Sequence, residues 1–93
     1  MNLKAIFDRQ ILCGTVSNSL VKKMIEADQY DAASSMQWLG HVTSLVKEQV
    51  INEGVVVFEL GNDKISEIKS IAQLKEFYSI HFPGAYACFL KST

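Results

Sequence analysis

His81 and Cys88 stand seven positions apart near the C-terminus, and they are the pair of residue types in this chain that could make a nucleophile and its base. A thiolate is the reactive form of cysteine, and a neighbouring imidazole can take its proton. The local sequence argues for a quieter role. Cys88 sits in YACF and Cys13 in ILCG, so both thiols have apolar neighbours. Small buried thiols of this kind act as core residues. A histidine near a helix end can interact with the exposed carbonyls there. The two cysteines are 75 positions apart, and His41 and His81 each stand alone, so no short-spaced ligand set for a metal is visible. Asp28 and Asp31 could pass for a carboxylate pair, but they flank Gln29-Tyr30 between two helical patterns. Aspartate there commonly caps a helix or starts a turn. The five glycines, Gly14, Gly40, Gly54, Gly61 and Gly84, are isolated, so no phosphate loop is formed. The expectation is a protein that is not an enzyme and needs no cofactor or metal.

These residues must be positioned by one domain spanning residues 1–93. Hydrophobic residues make up 48% of the chain and charged residues 20%, a composition that folds. Nine basic against ten acidic residues give a formal net charge of -1, and Arg9 is the single arginine. This balance gives no general attraction to phosphates and little means of bidentate phosphate or guanine recognition. No apolar run reaches membrane-span length, and MNLKAIFDRQ carries charges where a signal peptide needs an apolar stretch. A cytoplasmic protein with reduced thiols is expected, since a disulfide between the chain's two ends is disfavoured there.

Periodicity sets out the elements. Leu3, Ile6, Phe7 and Ile11 form a helical stripe that Gly14 can stop, with a strand over residues 9–13 as the alternative. Ser17-Asn18-Ser19 offers N-caps for a second helix, whose stripe is Leu20, Val21, Met24 and Ile25 and whose end falls near Ala27. Asp28 or Asp31 can cap a third, long helix running to about Glu53, before Gly54. Its apolar positions cover roughly half the circumference, against the ~100° stripe of an ordinary surface helix. It therefore needs partners on two sides. Val55 to Leu60 reads as a strand, Gly61-Asn62-Asp63 as a turn tolerant of positive φ, and Lys64 to Lys69 as a weaker strand. Ser70 to Gln73 fits a capping box. The helix after it turns Ile71, Leu74, Phe77, Tyr78 and Phe82 inward, and Pro83-Gly84 is expected to end it. A strand over Ala85 to Leu90, with Tyr86, Cys88 and Leu90 on one face, is expected to close the chain. The fold class is thus α+β in the order α-α-α-β-β-α-β: about three N-terminal helices and one C-terminal helix on a small antiparallel sheet.

MQWLGHVTSLVKEQVINEGVVVFEL, residues 36–60, resembles the recognition helix and wing junction of winged-helix regulators. The resemblance implies a DNA-binding transcriptional regulator using residues 41–64. Thr43 to Lys47 would enter the major groove, and GNDK would form the wing tip. Charge opposes it: between His41 and Asp63, Lys47 stands beside Glu48, Glu53, Glu59 and Asp63. A groove-binding element neutralises several phosphates. Phe58, Tyr86 and Phe89 could stack bases from strands, but only Lys64, Lys69 and Lys91 accompany them, so core packing is the expectation.

The preferred expectation is a small non-enzymatic protein-interaction module, an inhibitor or regulator of the antitoxin, immunity or viral-antagonist kind. Its partner is a protein, with no nucleic acid and no membrane, and a homodimer is expected. If Met36, Leu39, Val46 and Val50 face the sheet, then Trp38, Val42 and Leu45 remain as a protein interface on the long helix. In the competing arrangement the first two helices cover that side through Leu3, Phe7, Leu20 and Met24, and the protein is a monomer.

Overall fold

The computed structural model describes residues 3–92. The elements are α1 (Leu3–Leu12), β1 (Thr15–Val16), α2 (Asn18–Tyr30), α3 (Ala32–Glu53), β2 (Val56–Gly61), β3 (Lys64–Ile68), α4 (Ile71–His81) and α5 (Pro83–Ser92). The α+β class holds, with helices packed on a small sheet. No helix among the described residues is long and apolar enough to cross a membrane.

The sheet runs β1-β2-β3 and is mixed rather than antiparallel. Parallel pairing of β1 with β2 matches Thr15 to Val57 and Val16 to Phe58. The Val57 N–H donates to the Gly14 carbonyl at 2.8 Å and extends that pairing by one bond. β2 and β3 form a hairpin, with Val56 opposite Ile68 and Phe58 opposite Ser66. At its tip Asn62 and Asp63 both take positive φ, 52° and 60°, and Gly61 sits at 89°. This is the two-residue turn whose twist matches paired strands. A register shift between Glu59 and Gly61 adds a bulge just before it. One sheet face is buried through Val16, Val56, Phe58 and Ile68.

Helix boundaries follow capping chemistry. Ser17 is the N-cap of α2, although its side chain makes no capping bond. Its own N–H instead donates to Gln10 Oε1 at 2.7 Å. Helix α2 passes Ala27 and runs to Tyr30, where Asp31 separates it from α3. The Asp31 carboxylate accepts from the Ser34 hydroxyl at 2.7 Å and the Ser34 N–H at 3.2 Å. Those two bonds, the hydroxyl's first, hold its pKa below the ordinary aspartate value. Gly54 ends α3 in the left-handed region at φ 91°. The capping box of α4 forms in a shifted version. Ser70 Oγ accepts from the Gln73 N–H, but Gln73 Oε1 reaches back past Ser70 to the N–H of Lys69, at 2.6 Å.

The first helix forms as expected, and its alternative, a strand over 9–13, does not; a two-residue strand follows it, too short to show a period. One element needs correction. The closing strand over Ala85 to Leu90 is helix α5. Pro83 does not end the helical path. It opens a new helix, where its fixed φ and missing N–H cost nothing. Phe82, Ala85, Tyr86 and Phe89 recur at i, i+3, i+4 and i+7, a helical spacing, and Phe82 and Ala85 are buried. Tyr86 and Phe89 therefore lie on a helix and form no base-stacking strand.

Helix α3 is the central element. α5 packs along it, α1 and α2 lie against other parts of its surface, and α4 and β2 touch it. Leu39, Val42 and Val46 are buried in the common core.

Candidate binding site

The chemistry-bearing residues are distributed among structural duties. Asp28 is buried, and its Oδ1 accepts the N–H of Ala85 at 2.6 Å. It caps α5 from another helix. Gly84 leaves room for this approach: a Cβ there would lie 3.1 Å from the Ala32 Cβ and 3.5 Å from Asp28 Oδ2. Asp28 and Asp31 thus serve two different helix starts. His41 Nε2 lies 2.9 Å from Asp8 Oδ1, joining α3 to α1. Tyr78 is buried, and its hydroxyl lies 2.9 Å from Thr43 Oγ1. Both hydroxyls also reach the Leu39 carbonyl, Thr43 donating at 2.7 Å and Tyr78 at 3.4 Å. Burial pushes the Tyr78 pKa above its ordinary value, against a smaller lowering by the Thr43 bond.

Neither cysteine forms a disulfide. Cys13 is exposed after the end of α1 rather than buried, and Cys88 is half-buried on α5. Among the described residues no group of three or more His, Cys, Asp and Glu could hold a metal ion. His81 ends α4 with its ring 4.6 Å from that of Phe77. Burial lowers its pKa from the ordinary histidine value. The unfolded chain therefore binds this proton more readily than the native one. The neutral ring's contribution to stability is full above the unfolded value, ~6.5. It is lost as the pH falls through that value toward the lower folded one. Urea midpoints between about pH 7 and 5 should fall on acidification, and less so in His81→Gln. An unchanged pH slope in the variant would refute this assignment.

The interface expected on the long helix is not an open patch. Val42 is 1% exposed and belongs to the core. Trp38 and Leu45 are half-buried and packed against that core. Phe7 of α1 meets the Trp38 ring edge-on, 5.3 Å between centroids. Helix α1 closes this side of α3, as in the competing monomer arrangement. The part of the apolar arc around Trp38, Val42 and Leu45 is packed within the chain, while Ile51 near the end of α3 is 74% exposed.

Two concavities stand out among the described residues. One lies between β3 and α4, with a volume of about 220 Å³. Ser66, Glu67 and Ile68 border it on the strand; Gln73, Glu76, Phe77, Ile80 and His81 border it on the helix. Among the described residues β3 pairs with β2 alone, so its other edge has no strand neighbour. Ile65 on β3 and Ile80 on α4 are exposed large apolar residues, 56% and 63%. The sequence marked these positions as strand and helix, but not that a groove separates them. The second concavity is an apolar cavity among α1, α2, α3 and α5. Comparison with protein-family models, with curated proteins and with solved structures returned no match for this chain.

Proposed function

We propose that the protein is a small non-enzymatic interaction module, a regulator or inhibitor. It takes an extended segment of a partner protein on the free edge of β3. The observation that supports this reading is the groove of about 220 Å³ beside a strand with one paired edge. An unpaired edge presents backbone donors and acceptors to an incoming strand, and a flanking groove sorts alternate side chains. The partner strand would lie between β3 and α4, with an apolar residue toward Ile80 and Phe77. Self-association, expected from the long helix, is reassigned to the same edge, because the Trp38 side is already covered.

A peptide-display selection on the wild-type chain, counter-selected on Ile65→Asp/Ile80→Asp, tests the reading. Both residues are exposed, so the double variant should fold. Selected segments should alternate apolar and polar residues and should slow amide exchange in β3. Protection elsewhere, or peptides that bind the double variant equally, would reject it. Light scattering checks self-association: a dimer mass that the double variant reduces to a monomer is expected.

The winged-helix alternative has one feature in its favour, since a β-hairpin follows α3 directly. Its proposed groove-reading segment is largely occupied. Val46 is buried, Leu45 packs on the core, and the Thr43 hydroxyl is bonded to Leu39 and Tyr78. Ser44 and Lys47 alone of the five are exposed. Fluorescence anisotropy with duplex and single-stranded probes at low salt should show no binding at micromolar protein. Tight, salt-sensitive binding weakened by Lys47→Ala would restore the alternative.

A further inference from the structure

Backbone parity identifies which part of the β3 edge is open. The Val57 N–H points toward β1, where it meets the Gly14 carbonyl. Peptide groups alternate in direction along a strand, so those of Val56 and Phe58 point the other way, toward β3. Their cross-strand neighbours Ile68 and Ser66 turn their own N–H and C=O groups to β2. Ile65, Glu67 and Lys69 therefore face outward. The Lys69 N–H agrees with this alternation: it leaves the sheet and donates to Gln73 Oε1 of α4 at 2.6 Å. That side chain closes one end of the edge. Open among the described residues are the N–H and C=O groups of Ile65 and Glu67. Side chains alternate as well. Ser66 and Ile68 lie on the face toward α4, while Ile65 and Glu67 lie on the outer face, with Glu59 across the hairpin from Ile65.

The charges beside this edge are of one sign where the groove opens. Glu67 and Glu76 border it, both exposed, and no Lys or Arg does among the described residues. Glu76 makes no ion pair among those residues. Lys69 lies 3.7 Å from Glu67, but both are exposed, and a surface pair of this kind exchanges readily. Lys64 at the start of β3 and Lys75 on α4 are exposed and do not border the groove. His81 borders it, and burial keeps the ring neutral near pH 7. We propose that the occupant of this edge is a basic extended segment of a partner protein, paired through Ile65 and Glu67. Its residue opposite Glu67 is Lys or Arg. The next one, opposite Ser66, is apolar and enters the groove toward Phe77 and Ile80. This rests on the strand-addition reading and adds a register and a charge to it. Main-chain bonds give such complexes affinity, and the pockets for alternate side chains give specificity. Opposite charges directly across two strands stabilise the pair, and like charges destabilise it. A second copy of the chain fits less well. For both open residues to pair about a two-fold axis, Ser66 must lie on that axis. Each Ile65 then stands across from a glutamate of the other copy, which gains no cation.

Two capped hexapeptides test the assignment, one alternating lysine with isoleucine and one alternating glutamate with isoleucine. At low salt the lysine peptide should bind the full chain about tenfold more tightly than the glutamate peptide. It should slow amide exchange at Ile65 and Glu67 and leave Lys69, already bonded to Gln73, unchanged. Glu67→Lys/Glu76→Lys, a pair of exposed substitutions, should reverse the preference. Saturating lysine peptide should also convert any dimer to a monomer with peptide bound. Equal binding of the two peptides, both slowing exchange at Ile65 and Glu67, would overturn the charge assignment and leave strand addition standing. Exchange in β3 unaffected by either peptide would overturn both. A dimer mass that saturating lysine peptide leaves unchanged would give the edge to a second copy and overturn the proposal.

Discussion

Asp28→Ala should lower the unfolding free energy by about 2–3 kcal/mol, more than any other substitution of a charged residue in this fold. The side chain is 6% exposed, and it accepts the Ala85 N–H at 2.6 Å across a sequence separation of 57. A lost capping bond alone costs about 1 kcal/mol. A buried hydrogen bond to a charged group is worth about 1.5–3 kcal/mol, and its loss leaves the amide without an acceptor. For a domain of this length, 2 kcal/mol corresponds to a fall in melting temperature of about 8–16 °C. Asp28→Asn keeps an oxygen acceptor and should cost about half as much. Asp31→Ala removes an exposed cap and should cost less than Asp28→Ala. Urea denaturation of the three variants gives the ranking, and amide exchange in α5 should rise first in Asp28→Ala. A loss below about 0.5 kcal/mol would mean that water replaces the carboxylate, contrary to the burial of the site.

The second large effect is expected at Phe77. This side chain is 3% exposed and lies at the meeting point of α4, the sheet and the start of α5. Its ring centroid is 4.7 Å from Phe58, 4.6 Å from His81 and 5.8 Å from Phe82. Truncation to alanine removes the transfer free energy of the ring and leaves a cavity, together about 3–5 kcal/mol. Aromatic pairs add about 0.5–1.5 kcal/mol beyond buried area. Domains of this size have total stabilities of about 5–15 kcal/mol, so Phe77→Ala should be close to unfolded at 37 °C. Phe77→Leu retains most of the volume and should stay folded. Chemical denaturation of both variants tests this, and a loss under about 1.5 kcal/mol for the alanine would contradict the placement of the ring.

Local chemistry accounts for what was legible in the sequence. The hairpin tip at Asn62-Asp63, the stop at Gly54 and the Ser70 cap are each written in a few adjacent residues whose backbone preferences allow one reading. The closing helix was misread because Pro83-Gly84 can end one helix or begin the next. The i, i+3, i+4 recurrence from Phe82 decides between them, and it crosses the proline. The wide apolar arc of α3 was correctly seen to need two sides covered. Periodicity identifies which positions avoid water, not which element shields them, and α1 and α5 do so here. The cavity was illegible for the same reason. Phe7, Leu20, Met24 and Trp38 read as ordinary core residues, and the space between them arises only from the way separate helices meet.

The capping of α5 by Asp28 also has a consequence for biosynthesis. The acceptor is made early and waits through 57 further residues for its donor. Until residues 83–92 leave the ribosome, the side of α3 that α5 covers stays open to water and to other chains. Exposed apolar surface on a nascent chain is where aggregation begins. At a synthesis rate of about 5–20 residues per second, that exposure lasts seconds. Helix α5, Pro83–Ser92, therefore ends this exposure when it docks on α3.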